Sequence, residues 1–329
     1  MNTLITLDYE LFFGDKSGTV DNCILKPTDK LLAVLDKHNI KGTFYVDVGY
    51  LSRSDELGYD QESTELVKKQ LQFLTKQGHD IQLHIHPHWE RSTWGSEGWI
   101  FDLAYYKLSD FNKQEASHIV LKYAEKLESI TGIRAVSYRA GGWCIQPFEH
   151  FSTSLLKAGI KVDSTVFTDG LNLSEVQGFD FRGSPRKSHW NFESDPLVPK
   201  SEGPFTELPI SSSVVSPLFF WRLALIKKLS GLKHKAFGDG SPAKMTGAQL
   251  KRLLTKKSRT VASIDGYKSS LLEKYRRDSN REYGNDGNLV LIGHPKSLTE
   301  YSLKRLDNYL SKNTDDSYMT VSQWFKQYE

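Results

Sequence analysis

Four of the chain's ten histidines fall in one short stretch, Gly78-His79-Asp80-Ile81-Gln82-Leu83-His84-Ile85-His86-Pro87-His88-Trp89. Imidazole is neutral near pH 7 and is the commonest nitrogen ligand of a hydrolytic transition metal. His84 closes an apolar run, and His88 follows once Pro87 has turned the chain, so one strand end can deliver two nitrogens to one ion. A catalytic zinc site takes three protein ligands and keeps a position for water. The third ligand should be a carboxylate at another strand end, and Asp8-Tyr9-Glu10 offers two. The bland alternative makes these histidines solvated loop residues and these acids turn caps. Three histidines at alternating positions after a buried strand weigh against it. Cys23 and Cys144 are the only cysteines, which excludes a Cys-based zinc site and a disulfide framework.

These residues need elements to hold them. Short apolar runs predict strands over 3–7, 43–46, 81–85, 135–138, 160–162 and 289–292. Helical spacing predicts helices after Pro27-Thr28-Asp29, over 63–77 with Gly78 to end it, over 147–158 and over 303–310, with a short terminal piece at 321–325. Asn112-x-x-Glu115 resembles a capping box ahead of Ala116, Ile119, Val120, Tyr123, Leu127 and Ile130 on one helical face. Repeated strand–helix alternation implies a parallel sheet covered by helices, open or closed into a barrel. Such folds gather reactive residues at the carboxyl ends of strands. Asp8, Asp47, His84, Arg139, Asp163 and His294 each stand at the end of a predicted strand, where a purely structural explanation expects apolar residues.

The segments Thr6-Leu7-Asp8-Tyr9-Glu10, Gly78-His79-Asp80-Ile81-x-x-His84-x-x-x-His88, Arg139-Ala140-Gly141-Gly142 and Ile292-Gly293-His294 resemble, in order and spacing, the motifs of the polysaccharide deacetylase (NodB-homology) family, of carbohydrate esterase type. The resemblance covers residues 1 to 170 and resumes near 285–325. It implies an α/β fold, a distorted (β/α) barrel of seven or eight strands, and metal-dependent removal of acetyl groups from carbohydrate. It implies one divalent ion, Zn²⁺ foremost, on His84, His88 and Glu10, with Asp8 as the alternative third ligand. Asp8 matches the general base, Arg139 the residue that orients it, Asp163 the acid behind that Arg, and His294 the general acid. Tyr9 and the pair Gly141-Gly142 depart from the family, which commonly has a second acid at the first position and Pro-Tyr at the second. The Gly142 N–H remains a candidate oxyanion donor. Trp89 and Trp143, with Trp94 and Trp99, are expected to face sugar rings, and His86 to face substrate or support the ligands.

The 329 residues carry 43 Lys+Arg against 40 Asp+Glu and are 38% hydrophobic, which excludes disorder. They are expected to form one barrel domain over 1–329, because His294 must join Asp8, with a basic, mainly helical insertion at 216–285. Residues 222–281 hold 16 Lys+Arg and 4 Asp+Glu, so an acidic-leaning remainder carries a strongly basic segment. Phe219, Phe220 and Trp221 lead into Lys227 and Lys228, which suggests peripheral contact of 217–229 with an anionic membrane surface. No nucleic-acid motif is present, and none is expected as partner. The charge-free run 208–221 is only 14 residues long, too short to span a bilayer, and the start has no basic n-region. A cytoplasmic enzyme of surface-polysaccharide biosynthesis is expected, held in part at the inner face of the membrane and acting on a nucleotide- or lipid-linked carbohydrate. The rivals are a metal amidohydrolase for a non-sugar amide, imitated by His84-x-His86, and a weakened sugar-binding or scaffold protein.

Overall fold

The computed structural model describes residues 1–96, 98–229, 231–242 and 246–328. Ser230, residues 243–245 and the side chain of Lys227, all in the basic stretch, lie outside the described residues. The chain falls into two compact units, one of Met1–Ile40 with Ser211–Tyr318, the other of Lys41–Ile210 with the stretch from Met319. The first opens with β1 (Asn2–Tyr9) and α1 (Lys26–Lys37). The second runs through β2 (Thr43–Asp47), α2 (Val48–Leu57), α3 (Gln61–Lys76), β3 (Asp80–Ile85), α4 (Lys113–Thr131) and β4 (Ser137–Ala140). It continues with α5 (Ser152–Ala158), β5 (Val162–Asp163), β6 (Trp190–Phe192) and β7 (Phe205–Glu207). The chain then returns to the first unit with β8 (Ser212–Val215), α6 (Pro217–Leu229), α7 (Gly247–Thr255), β9 (Ser258–Val261) and α8 (Leu272–Tyr283). β10 (Asn288–Gly293), α9 (Glu300–Lys312) and β11 (Ser317–Tyr318) complete it, and α10 (Val321–Phe325) completes the second.

In the first unit β1 pairs in parallel with both β10 and β11, and every residue from Thr3 to Tyr9 is buried. Burial on both faces is what a near-continuous apolar run in a parallel sheet signifies. The register sets Leu7 opposite Gly293, so Asp8 and His294 follow side by side. The stretch read as a helical insertion is partly sheet: β9 pairs antiparallel with β8, and the Ile264 N–H and Ala262 carbonyl bond Ile292 of β10.

In the second unit β2, β3, β4, β5 and β7 are parallel neighbours in that order, with β6 antiparallel to β7. Their register puts Asp47 opposite His84 and His84 opposite Arg139, a row of polar side chains at the carboxyl edge. α4 starts where Asn112 accepts from the Glu115 N–H while Glu115 accepts from the Asn112 N–H. Such a cap contributes about 1 kcal/mol. The helix ends at Gly132, whose φ of 72° suits glycine. β4 begins two residues later than the apolar pattern predicts, because the Gln82 side chain takes the Val136 and Ser137 N–H groups. The helix predicted over 147–158 begins only at Ser152, after a 3₁₀ turn at Phe148–His150. α2, which the sequence pattern does not announce, follows β2 directly.

β5 and β7 end on Asp163 and Glu207, directly opposite each other and fully buried. Asp163 accepts from the Thr165 hydroxyl at 2.7 Å and its N–H at 3.1 Å, and Glu207 Oε1 accepts from the Val166 N–H at 3.1 Å. Glu207 Oε2 is buried and faces no donor. Two adjacent buried carboxyls cannot both ionise cheaply. Burial first, then the charge of Asp163, drives Glu207 well above the ordinary carboxyl range. Burial also raises Asp163, against the hydrogen bonds from Glu207 and Thr165 and the charge of Arg139. The pair therefore holds on to a shared proton above the ordinary carboxyl range.

A carboxyl whose folded pKa exceeds its unfolded one stabilises the fold most below the unfolded value, and stability falls as pH rises through the folded value. Glu207→Gln, whose amide can donate to Asp163 permanently, is expected to flatten the decline in unfolding free energy as pH rises above the ordinary carboxyl range. Glu207→Ala should cost about 2 kcal/mol at neutral pH. Urea titrations over that rise in pH check both, and equal slopes for wild type and Glu207→Gln would refute the shared proton.

Candidate active site

In the first unit the chemistry gathers where β1 and β10 end. His294 Nδ1 lies 2.8 Å from Asp265 Oδ2, and the His294 N–H donates to Asp265 Oδ1 at 2.8 Å, so the carboxylate grips both ring and backbone. Nε2 stands 3.6 Å from Asp8 Oδ2 and 3.8 Å from Glu10 Oε1. Burial pulls the imidazolium pKa down, but the adjacent Asp265, then Asp8 and Glu10, outweigh it and leave His294 raised. Lys296 is buried and donates to Glu10 Oε1 at 2.9 Å and to the Leu11 carbonyl. Its ammonium also lies 4.8 Å and 4.9 Å from the ring centres of Phe12 and Phe13. A partly dehydrated acid cluster is thus balanced by one fixed cation.

In the second unit, His84 Nδ1 lies 2.8 Å from the Arg139 carbonyl. A carbonyl can only accept, so Nδ1 carries the hydrogen and the neutral ring has its lone pair on Nε2, the tautomer a metal ligand needs. Ring contacts run from His84 to His86 at 4.8 Å and from His86 to His88 at 5.4 Å, all three rings buried. His84 and His86 present ligand nitrogens within 4.8 Å of each other. His88 stacks flat on Tyr106, 2° from parallel at 5.6 Å. The glycines of the Arg139 motif make room for these rings. A Cβ at Gly141 would stand 2.6 Å from His86 Nδ1, and one at Gly142, where φ is 59°, 2.6 Å from the Tyr106 hydroxyl. Gly142 thus lacks a side chain because a phenol from another loop occupies the space. Arg139 is held by the Ser164 carbonyl and hydroxyl at 2.7 Å and 3.0 Å and lies over the Tyr45 ring.

Trp89 is a correction. It is 0% exposed, its indole N–H donates to Asp47 Oδ2 at 2.6 Å, and it packs on Gly49, where a Cβ would come within 2.5 Å. A tryptophan so enclosed anchors the loop after β3 and offers no face to a sugar ring. Trp99 is also buried, whereas Trp94 and Trp143 are half-exposed, Trp143 set edge-on to Phe167 and Phe179. Asp163 meets Thr165 and Glu207, with Arg139 acting on it through charge. Asp265, Lys296, Glu207 and Tyr106 escaped the sequence reading. Asp265 did carry a signal, an acid closing the apolar run 261–264, obscured by its place within the basic stretch.

Residues 17–145 match the family model for polysaccharide deacetylases. No curated protein sequence matches the chain. Among solved structures it is similar to a protein described as a polysaccharide deacetylase of Mycobacterium smegmatis, at 17% identity and a TM-score of 0.50, over 92% of this chain and 77% of that one. It is also similar to the Bacillus cereus polysaccharide deacetylase Bc1974, at 11% identity and a TM-score of 0.42 over 97% and 90% of the two chains. The PuuE allantoinase matches at 10% identity and a TM-score of 0.49 over 98% and 88%. The Mycobacterium likeness shows the fold, the mixed α/β arrangement of the deacetylase (β/α) barrels. Family segment and fold together agree with the resemblance carried by the ordered motifs: residues 17–145 are similar to the polysaccharide deacetylases, and the chain shares their fold.

Proposed function

We propose that the protein is a metal-dependent hydrolase that removes acetyl groups from carbohydrate, N-acetyl in preference to O-acetyl, on an intermediate of surface-polysaccharide assembly. The carrying observation is His294, clamped on Nδ1 by Asp265 and turned with Nε2 toward the carboxylates of Asp8 and Glu10. Amide hydrolysis needs a base for water and an acid for the departing nitrogen, since an amine anion does not leave unaided. The raised His294 suits the acid, and it suits an amine leaving group more than an alkoxide. The family motifs assign the base to Asp8 and its orientation to Arg139, with Asp163 behind that Arg.

The donor set fits a divalent cation. His84 has the ligating tautomer, and Lys296 steadies Glu10 as a carboxylate. His84, His88 and Glu10 would hold the ion, Zn²⁺ by ligand type, while the close pair His84 and His86 favours His86 as the second imidazole. When bound, such an ion polarises the acetyl carbonyl and lowers the pKa of a water toward ~7. Asp8 receives the proton of the attacking water, and His294 hands its Nε2 proton to the leaving nitrogen, giving acetate and a free amine. The Gly142 N–H is the candidate second support for the oxyanion. Trp143 is the aromatic candidate for the sugar.

His84→Ala is expected to lower bound metal at least about tenfold and to take acetate release to background, as read by elemental analysis and an acetate assay. Asp8→Asn should retain metal and lose about 10²–10⁴-fold in kcat; loss of metal instead would move the third ligand from Glu10 to Asp8. Asp265→Asn should lower kcat about ten- to a hundredfold at unchanged KM. Comparing His86→Ala with His88→Ala identifies the second ligand as the variant that loses the ion. A fully active, metal-replete His84→Ala protein would overturn the assignment, and a wild type that neither takes up metal nor releases acetate would favour the scaffold reading.

A further inference from the structure

The first unit carries a helix that a protein surrounded by water alone has no reason to keep. α6 is apolar on both sides. Phe219, Phe220 and Leu223 turn inward to pack with Val215, Leu253, Leu254 and Tyr267. Leu218, Trp221, Leu225 and Leu229, spaced three or four residues apart on the opposite stripe, are 55%, 56%, 56% and 71% exposed. Trp221 is fixed there by its indole N–H, which donates to the Leu254 carbonyl at 3.0 Å. Leu232, just past the helix, is 83% exposed. A contiguous exposed apolar stripe of this kind marks a binding surface.

The charges around it indicate what binds. Residues 217–238 include Arg222, Lys227, Lys228, Lys233 and Lys235 and no Asp or Glu. On α7, which packs against α6, Lys251 and Arg252 are exposed, as is Lys256 just past its end. Beside α6 opens a cavity of about 590 Å³ with Phe219, Tyr267 and Leu271 in its wall and Arg222, Lys257 and Lys274 around it. Lys274 is paired with Asp278, whereas Arg222 and Lys257 are exposed. Apolar side chains ringed by cations complement acyl chains beneath anionic headgroups. A second copy seated on the same face would set these cations against their own kind.

We infer that the exposed face of α6, with the adjoining cavity, docks this protein on an anionic lipid bilayer, the leucines and Trp221 entering the interface and the cavity taking the phosphate and upper acyl region of one lipid. Docking by this face requires no transmembrane helix, and no described helix is long and apolar enough to be one. The inference stands apart from the reading of the active site.

Co-sedimentation of the full chain with phosphatidylglycerol vesicles, against phosphatidylcholine vesicles, tests it. Binding is expected to the first and to be weakened at least about tenfold in Leu225→Ser/Leu229→Ser. Arg222→Glu should weaken it about fivefold or more, and added salt should weaken it further. Both changes lie on the surface, and unaltered unfolding curves with unaltered acetate release from a soluble acetylated sugar would assign the loss to docking. No binding of the wild type to phosphatidylglycerol vesicles, equal binding to both vesicle types, or a wild-type dimer in vesicle-free solution that Leu225→Ser/Leu229→Ser dissociates would each overturn the proposal.

Discussion

A charge withdrawn from water must meet an opposite charge or a set of hydrogen bonds, and the strand ends of each unit are organised around that constraint. Asp8, Glu10, Arg139, Asp163, Glu207 and Lys296 are each at most 7% exposed. Left alone, any of them would cost several kcal/mol. Each compensation is local to a strand end. Lys296 answers Glu10, Ser164 and the Tyr45 face answer Arg139, and Asp163 and Glu207 avoid a double charge by sharing a retained proton. Parallel strands make this feasible, because in-register neighbours bring their last side chains to one edge without bending the backbone.

The two best-defined histidines show how a partner decides a role. His84 and His294 each commit Nδ1 to the fold, one to a carbonyl and the other to a carboxylate. A carbonyl can only accept, so it places a hydrogen on Nδ1, and in the neutral ring the lone pair then falls on Nε2, where it suits a cation. A carboxylate adds a charge that stabilises the imidazolium and leaves Nε2 with a proton to give. The proposed ligand and the proposed acid thus come from one side chain type through a single difference on its far nitrogen. The backbone bond from His294 to the same Asp265 adds rigidity, which suits the proposed role of delivering a proton in one direction.

Much of this was legible because buried strands are short apolar runs and a polar residue closing one is conspicuous. Asp8, His84, Arg139, Asp163 and His294 all stand out on that ground, though most lie on the last strand residues and not beyond them. The capping box at Asn112 reads directly because both of its bonds are local. What stayed hidden depends on partners distant in sequence. Lys296 matters because β10 lies beside β1, and Glu207 because β7 lies beside β5. Trp89 was misread for the same reason: type and loop position suggest a sugar platform, while Asp47 and Gly49, some forty residues earlier, draw it inside.

The basic stretch is best understood by separating charge spent on the fold from charge left at the surface. Arg276 is bound to Asp316 through both Nε and Nη2, and Asp316 also accepts from Thr3 beside the first strand. Lys274 is likewise paired with Asp278. Arg276 thus ties α8 to its surroundings, while the Lys274–Asp278 pair lies within the helix itself. Asp239, the sole acid between 222 and 264, is engaged by Thr19 and Asn22 and holds a loop against the N-terminal segment. The sequence from Arg222 to Lys257 has no such run of acids, and Arg222 and Lys228 share the exposed surface of α6 with its leucines. Charge and apolar area that coincide at a surface are costly in water, and a boundary between water and anionic lipid is the environment in which both are satisfied together.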